Sequence, residues 1–211
     1  MALGLLALVL LVIVGVTRHQ KNKAVSADSP VTLSEVDENR PELDVELLTV
    51  NPYSRPGTAL EKVNGIVIHY TANPGATAIA NRNYFENLKD THTTKASSHF
   101  VVGLEGEIVQ CIPTAEIAYA SNDRNSDTIS IECCYKNEDG SFEQATYDSV
   151  IKLTAWLCAK FGLTSEDVIR HYDVTGKLCP LYYVEHEDAW AQFKKDVDTY
   201  LQVYKTGDEN G

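Results

Sequence analysis

Residues 65–70, Gly-Ile-Val-Ile-His-Tyr, limit the fold of this 211-residue chain more than any other stretch. Apart from His69, the run has no polar alternation, and this pattern predicts a strand that is covered on both faces. Strands of this kind lie inside α/β sheets, and open α/β sheets bind ligands at the carboxyl ends of their strands. The run therefore predicts a central strand with a functional histidine at its end.

Strand and helix patterns alternate along the rest of the chain. Apolar runs predict a short edge strand over 46–50, a hairpin of strands 100–102 and 108–111 turning at Glu105-Gly106, and a strand over 128–135. Helical spacing predicts a helix over 77–88, with Ala80, Tyr84, Phe85 and Leu88 on one face. A second helix is predicted over 147–161, where Thr146 can cap the start and Gly162 can end it. A third is predicted over 187–204. We expect a single α/β domain over 43–204, with a central mixed β-sheet covered by helices and a polar tail over 205–211.

Composition and charge narrow the function classes. The chain is 44% hydrophobic and 23% charged, which suits one globular domain with a substantial core. Its net charge of −12 argues against nucleic acid as a partner, because phosphate binding needs basic patches. We expect the domain to be a monomer.

The N-terminus carries a separate signal. Residues 2–16 are all apolar or Gly, and Arg18, His19, Lys21 and Lys23 follow at once. The run spans roughly 23 Å as a helix, which is short for a hydrocarbon core of about 30 Å. We interpret 1–17 as a membrane anchor or signal segment and favour an uncleaved anchor, because the basic cluster precedes the small residues at 25–27. Residues 18–42 are polar and acidic and are interpreted as a tether.

The segment from His171 to Pro180 places an imidazole, an ammonium and a thiol within ten residues, and its Gly and Pro predict a loop. Imidazole and thiolate are zinc ligands, and a catalytic zinc takes three protein ligands and leaves one position for water. His69, His171 and Cys179 would satisfy that requirement. Residue type and spacing alone leave the alternatives open, since a histidine at a strand end is often structural and a free cysteine is often a small buried hydrophobe.

Four segments in order resemble one enzyme family. They are 66–71 (Ile-Val-Ile-His-Tyr-Thr), 98–102 (Ser-His-Phe-Val-Val), 128–132 (Thr-Ile-Ser-Ile-Glu) and 171–180. Together they resemble the zinc-dependent N-acetylmuramoyl-L-alanine amidases of the amidase-2 family, related to the peptidoglycan recognition proteins. The resemblance spans roughly residues 45–200 and implies a peptidoglycan recognition protein-like fold.

The resemblance implies roles for individual residues. The zinc ligands would be His69, His171 and Cys179, where some relatives have Asp in place of the cysteine. Glu132 matches the family's general base and Lys177 the lysine near the reacting carbonyl. Some phage relatives have a tyrosine where this chain has Ser98, which shifts the catalytic weight to Glu132. Substrate contacts are expected at Tyr70, Asn73, His99 and Thr175, and His99 would either line the cleft or fix a strand by hydrogen bonding.

The implied function is hydrolysis of the amide between N-acetylmuramic acid and L-alanine in peptidoglycan or muropeptides. That substrate implies an extracytoplasmic domain, either membrane-anchored through the N-terminal segment or secreted. One alternative is a non-catalytic peptidoglycan-binding module of the same fold, although such relatives have usually lost a zinc ligand. Another is a structural zinc site, which would need a fourth protein ligand. The remaining cysteines, Cys111, Cys133, Cys134 and Cys158, either form disulfides outside the cell or are simply buried, and we favour burial.

Overall fold

Six strands form one mixed sheet in the computed structural model, which describes residues 33–206. The strands are β1 Asp44–Val45, β2 Gly65–Tyr70, β3 Phe100–Val102, β4 Ile108–Gln110, β5 Thr128–Cys133 and β6 Val168–Arg170. Their order across the sheet is β1-β4-β3-β5-β2-β6. Among these strands β3 and β4 pair antiparallel, as expected for a hairpin, and the other neighbours pair parallel. The expected central mixed sheet is confirmed.

Strand β2 lies between β5 and β6 and is buried on both faces. Ile66, Val67 and Ile68 have no exposed surface. Because both neighbouring strands run parallel to β2, the carboxyl ends of all three strands lie at one edge of the sheet. His69 and Glu132 occupy matching positions of β2 and β5 at that edge.

Helices cover both faces of the sheet. They are α1 Leu33–Glu38, α2 Ala78–Thr91, α3 Gln144–Phe161, α4 His171–Thr175, α5 Leu181–Glu185, α6 Glu187–Leu201 and α7 Val203–Thr206. Helices α3 and α6 supply the larger apolar cluster, in which Phe193 stacks on Trp190 with ring centroids 5.1 Å apart. Helix α2 contributes Ala78 and Phe85 to a second cluster. The expectation of one α/β domain with covered faces is confirmed.

Several predicted element ends differ from the structure. The edge strand is Asp44–Val45 rather than 46–50. Helix α3 begins at Gln144, and the hydroxyl of Thr146 donates to the carbonyl of Gly103 at 2.8 Å instead of capping the helix. The final predicted helix is divided into α6 and α7. On α2, Tyr84 is 51% exposed and Ala80 is also exposed, so the buried stripe consists of Ala78, Phe85 and Leu88.

Glycines define two of the predicted boundaries. Gly106 forms the β3–β4 turn with a φ of 87°, a backbone conformation that side chains disfavour. A Cβ at this position would lie 2.9 Å from the carbonyl oxygen of Ala145. Gly162 ends α3 in the left-handed conformation, with a φ of 68°. Both positions agree with the predicted turn and helix end.

The folded part of the chain begins before residue 43. Helix α1 lies inside the segment that we interpreted as a tether, and its Val36 is 2% exposed. Asp37 pairs with Lys160 of α3 at 2.8 Å. Within 33–206, no helix is long and apolar enough to cross a membrane. The expected anchor or signal segment over 1–17, the tether up to residue 32 and the tail from 207 lie outside the described residues.

All five cysteines of the chain are free and buried. Burial raises the pKa of the Cys111, Cys134 and Cys158 thiols to about 12. Thiols in such surroundings behave as small apolar groups. The expectation of burial rather than disulfide formation is confirmed.

Candidate metal centre

Two neighbouring parallel strands bring the two histidines together. His69 lies near the end of β2, and His171 directly follows β6, which pairs alongside β2. His171 opens the short helix α4, so the segment expected to be a loop begins with one helical turn. The imidazole centroids are 4.6 Å apart. Sheet topology therefore places both rings at the carboxyl edge, as the sequence predicted for His69.

A tight turn returns Cys179 to the same place. Gly176 ends α4 with a φ of 77°, and the backbone N–H of Tyr172 donates to the carbonyl of Cys179 at 2.9 Å. The Sγ of Cys179 lies 3.9 Å from Nδ1 of His69. One donor atom from each of His69, His171 and Cys179 lies within 4.8 Å of the others, and all three residues are buried. The structure thus assembles the predicted ligand set.

The Nε2 atom of each imidazole contacts a residue in the loop before β5. The Nε2 atom of His69 contacts Oγ of Ser121 at 3.2 Å, and Nε2 of His171 contacts Oδ1 of Asn122 at 3.1 Å. The Nδ1 atom of His171 is buried and has no hydrogen-bond partner in the described residues. A buried polar atom without a partner is costly, and a cation at Nδ1 would supply one.

The local electrostatics suit a zinc ion. Burial lowers the pKa of His69 well below its usual value, and the neighbouring charges of His171 and Lys177 add to this effect. Burial and then Lys177 also lower the pKa of His171. Both rings are therefore neutral, which is the form that binds metal. Burial raises the pKa of Cys179 to about 12, although the backbone N–H of Tyr70 donates to its sulfur and favours the thiolate. A bound dication would favour that thiolate further.

Glu132 places a carboxyl group beside the three donors. It occupies the β5 position that matches His69, and its Oε2 is buried without a hydrogen-bond partner in the described residues. Burial raises its pKa to about 8, and the charge of Lys177 opposes that shift. A carboxyl group with a pKa near neutrality can both accept and release a proton.

The other expected site residues differ in their surroundings. Thr175 is the exposed last residue of α4, where its hydroxyl donates to the carbonyl of His171 at 3.3 Å, and Lys177 is exposed in the turn that follows. Tyr70 is partly buried beside Cys179, and Asn73 is exposed in the turn after β2. Along the chain, Tyr70 and Asn73 follow His69, and Thr175 and Lys177 lie between His171 and Cys179.

His99 fits the strand-fixing alternative. It is 1% exposed, its Nδ1 accepts from the backbone N–H of Ser130 at 3.0 Å, and its Nε2 is 2.8 Å from the carbonyl of Glu116. Both ring nitrogens are therefore engaged inside the protein. The lining of a cleft, which was the other alternative, would need a free nitrogen on this ring.

Sequence reasoning missed three residues that support the site. Ser121 and Asn122 lie in the loop between β4 and β5, where no periodicity marks them. Arg170, at the end of β6, pairs with Asp173 at 2.9 Å and Glu187 at 2.8 Å and so fixes the start of α4. Its only sequence signal was a cation directly before His171.

Comparison with known proteins agrees with this geometry. The family model described as N-acetylmuramoyl-L-alanine amidase matches residues 59–181. The N-acetylmuramoyl-L-alanine amidase CwlL of Bacillus licheniformis is 39% identical over 165 residues, covering 72% of this chain and 45% of the relative. The N-acetylmuramoyl-L-alanine amidase BlyA of Bacillus subtilis (strain 168) is 36% identical over 171 residues, covering 71% of this chain and 45% of the relative. The chain spans about half the length of these curated relatives.

Solved structures show the same architecture. The catalytic domain of XlyA is 30% identical, with a TM-score of 0.62 over 74% of this chain and 99% of that domain. A mutant endolysin from Bacillus subtilis is 31% identical, with a TM-score of 0.62 over 74% of this chain and 98% of the endolysin chain. The family match covers more than half of the sequence, and the two structures match nearly their whole length. This chain therefore belongs to the N-acetylmuramoyl-L-alanine amidase family.

Proposed function

We propose that this protein is a zinc-dependent hydrolase that cleaves the amide between the lactyl group of N-acetylmuramic acid and L-alanine in bacterial peptidoglycan. The observation that carries the proposal is the buried cluster of His69, His171 and Cys179, together with the buried, unpartnered Nδ1 atom of His171. Family membership supports the choice of substrate.

His69 Nδ1, His171 Nδ1 and Cys179 Sγ would hold the ion. When bound, zinc supplies a Lewis acid for the substrate carbonyl and lowers the pKa of a water molecule. Within the described residues the cluster contains three protein donors, and a tetrahedral ion would retain one position for water or substrate. This count supports a catalytic site over a structural one.

Glu132 moves the proton. Its carboxylate accepts a proton from the attacking water, and the water oxygen forms a bond to the amide carbonyl carbon. The same carboxyl group then donates that proton to the departing nitrogen of L-alanine as the carbon–nitrogen bond breaks. Lys177 would stabilise the negative oxygen of the tetrahedral intermediate, and a preorganised donor of this kind contributes about 3–4 kcal/mol.

Three residues would contact the substrate. We assign this role to Tyr70, Asn73 and Thr175, each of which lies within four positions of a proposed ligand along the chain. We assign His99 to fixing β3 against β5, because both of its ring nitrogens are engaged.

Digestion of purified peptidoglycan by the full chain tests the function. We expect new N-terminal alanine to appear with zinc, to disappear after chelation and to return when zinc is restored. Release of new reducing sugar ends without new N-terminal alanine would instead indicate a glycosidase and refute the proposal.

The variant Glu132→Gln distinguishes the amidase from a binding module of the same fold. It removes the proton acceptor and keeps the three ligands, so we expect stoichiometric zinc, unchanged muropeptide binding and a loss of at least about 100-fold in turnover. Full activity in this variant would exclude Glu132 as the general base. Binding without turnover in the wild-type protein would favour the binding module.

We also propose that the catalytic domain is extracytoplasmic and monomeric, and that the apolar run over 2–16 anchors it to the membrane or directs its secretion. Membrane fractionation with N-terminal sequencing of the mature protein tests the first point. A salt-resistant membrane protein that retains residue 2 supports the anchor, a soluble exported protein cleaved after the run supports the signal, and a full-length cytoplasmic protein contradicts both. Light scattering on the full chain tests the monomer.

A further inference from the structure

The side chain of Arg170 joins three helices beside the metal centre. Arg170 is 7% exposed. Its guanidinium group donates to both carboxylate oxygens of Asp173, at 3.2 and 2.9 Å, to the carbonyl of Tyr183 at 2.7 Å and to Oε1 of Glu187 at 2.8 Å. Its central carbon also lies 5.4 Å from the centroid of one aromatic ring on α4 and of another on α6. One buried cation therefore connects α4, α5 and α6.

Two of the three proposed zinc ligands lie on the segment that follows this arginine. His171 is the next residue, and Cys179 lies in the turn before α5. Both ligands are buried, whereas every residue from 172 to 178 is at least partly exposed. Packing against the core therefore fixes the segment at its two ends and leaves the stretch between them in contact with solvent.

Arg170 holds both ends of this segment. Asp173 is two positions after His171, and Tyr183 is four positions after Cys179. The planar guanidinium group binds both partners at once, so its rigid shape fixes one contact relative to the other. A lysine has one ammonium group on a flexible chain and lacks this forked geometry.

We infer that Arg170 is a positioning residue that sets the separation between His171 and Cys179 and thereby raises the affinity for zinc. This inference rests on the proposed function, because that function assigns both side chains to the ion. On β6, Arg170 pairs with Ile68, the residue before His69. The brace is thus fixed to the strand that carries the third ligand. Ligands that are already in place need less ordering when the ion binds.

Zinc competition with a chromophoric chelator tests the inference on the full chain. We expect about 100-fold weaker binding for Arg170→Gln, which loses the charge and the fork, and about 10-fold weaker binding for Arg170→Lys, which keeps the charge. Asp173→Asn removes the carboxylate partner on α4 and should also weaken binding by about 10-fold. Arg170→Lys and Asp173→Asn carry the test if Arg170→Gln does not fold.

Cobalt(II) in place of zinc gives a readout of the ligand geometry itself. Tetrahedral cobalt(II) absorbs visible light more strongly than six-coordinate cobalt(II), and a cysteine ligand adds a sulfur-to-metal band. We expect weaker visible absorption per bound ion in Arg170→Gln and partial recovery in Arg170→Lys. A loss of global stability alone would leave the spectrum of the bound ion unchanged.

Arg55→Gln is the matched control. Arg55 also donates to both oxygens of a carboxylate, that of Glu116, at 2.8 and 2.7 Å, and to a backbone carbonyl, that of Leu48, at 2.8 Å. Its partners lie on loops that carry none of the three proposed ligands. Arg55→Gln should therefore keep the wild-type zinc affinity and the wild-type cobalt spectrum.

Two results would overturn the inference and leave the proposed zinc site intact. One is wild-type zinc affinity with an unchanged cobalt spectrum in the folded Arg170 and Asp173 variants. The other is an equal loss of affinity in Arg55→Gln, since the effect would then follow from destabilisation in general. If the wild-type protein binds no zinc, the proposed function fails and the inference fails with it.

Discussion

Replacement of Ser121 or Asn122 tests whether one loop orients both histidines of the proposed zinc site. The two residues are consecutive, yet they contact imidazoles on two different elements, His69 on β2 and His171 on α4. A partner on the outer ring nitrogen of a metal-binding histidine sets the tautomer and the ring orientation. We therefore expect Ser121→Ala and Asn122→Ala to weaken zinc binding without changing the ligand set.

The burial of each residue sets the size of the expected effect. Ser121 is 1% exposed, so its removal leaves the Nε2 atom of a buried His69 without a partner. An unsatisfied buried group costs about 1–3 kcal/mol, and loss of such outer contacts weakens metal affinity by about 10–100-fold. Asn122 is exposed, so water can replace its oxygen at His171. We expect about 100-fold weaker zinc binding for Ser121→Ala and about 10-fold for Asn122→Ala.

Competition with a chromophoric chelator measures these affinities directly and needs no substrate. Ser126→Ala is the matched control, because Ser126 lies in the same loop, is exposed, and its hydroxyl reaches only the carbonyl of Asp123 at 3.5 Å. It should bind zinc like the wild-type protein. Asn122→Asp retains an acceptor for His171 and should bind zinc at least as tightly as the wild-type protein.

Wild-type zinc affinity in both alanine variants would refute this reasoning, since the outer contacts would then contribute nothing. Urea unfolding of the metal-free variants separates orientation from folding. If the metal-free variants are less stable by the full free energy that they lose in zinc binding, the loop acts on the fold rather than on the ligands.

Three further predictions concern stability. Phe193 has no exposed surface, so Phe193→Ala should destabilise the protein by about 3–5 kcal/mol, measured by the urea midpoint with the exposed substitution Tyr84→Ala as control. Gly106→Ala places a side chain at a φ of 87° against the carbonyl of Ala145 and should cost about 1–3 kcal/mol, whereas Gly75→Ala at a similar φ meets no atom within 4 Å and should cost less. The raised pKa of Glu132, about 8, exceeds that of an unfolded glutamate, so Glu132 makes the metal-free protein less stable as the pH rises from about 5 to 8, whereas the lowered pKa of the buried His69 and His171 makes it more stable as the pH rises through about 6.5. The histidines are the same in Glu132→Gln, so urea unfolding with chelator at pH 5 and pH 8 should show that the wild-type protein loses stability relative to this variant as the pH rises, and an equal pH dependence in both would contradict the prediction.

The sequence predicted those parts of the fold that depend on local pattern. An apolar run without alternation indicated β2, and its position between β5 and β6 is the physical reason for that pattern. The β3–β4 hairpin and the end of α3 followed from Gly106 and Gly162, where the backbone needs a positive φ. The ligand trio followed from residue type together with the family resemblance, and the structure then brought the three residues together.

Tertiary pairing produced what the sequence could not predict. Strand β6 has three residues, too few for a periodic signal, yet it places His171 beside His69. Threonine is a residue type that favours a helix cap. The hydroxyl of Thr146 instead donates to the buried carbonyl of Gly103, in the loop after β3. The contacts of Ser121 and Asn122 join residues about 50 positions apart, and no local pattern encodes them.

Two of the six buried side-chain polar atoms without a hydrogen-bond partner in the described part of the chain lie at the candidate metal centre. The Nδ1 atom of His171 and the Oε2 atom of Glu132 are both buried and have no hydrogen-bond partner. Both residues lie at the carboxyl edge of the sheet. Each is costly on its own, and strand β5 holds Glu132 in place while the helix α4 after β6 holds His171. A bound dication would satisfy the imidazole directly and would favour the ionised form of Glu132. The same burial that makes this edge unfavourable without a cation therefore makes it a selective place to hold one.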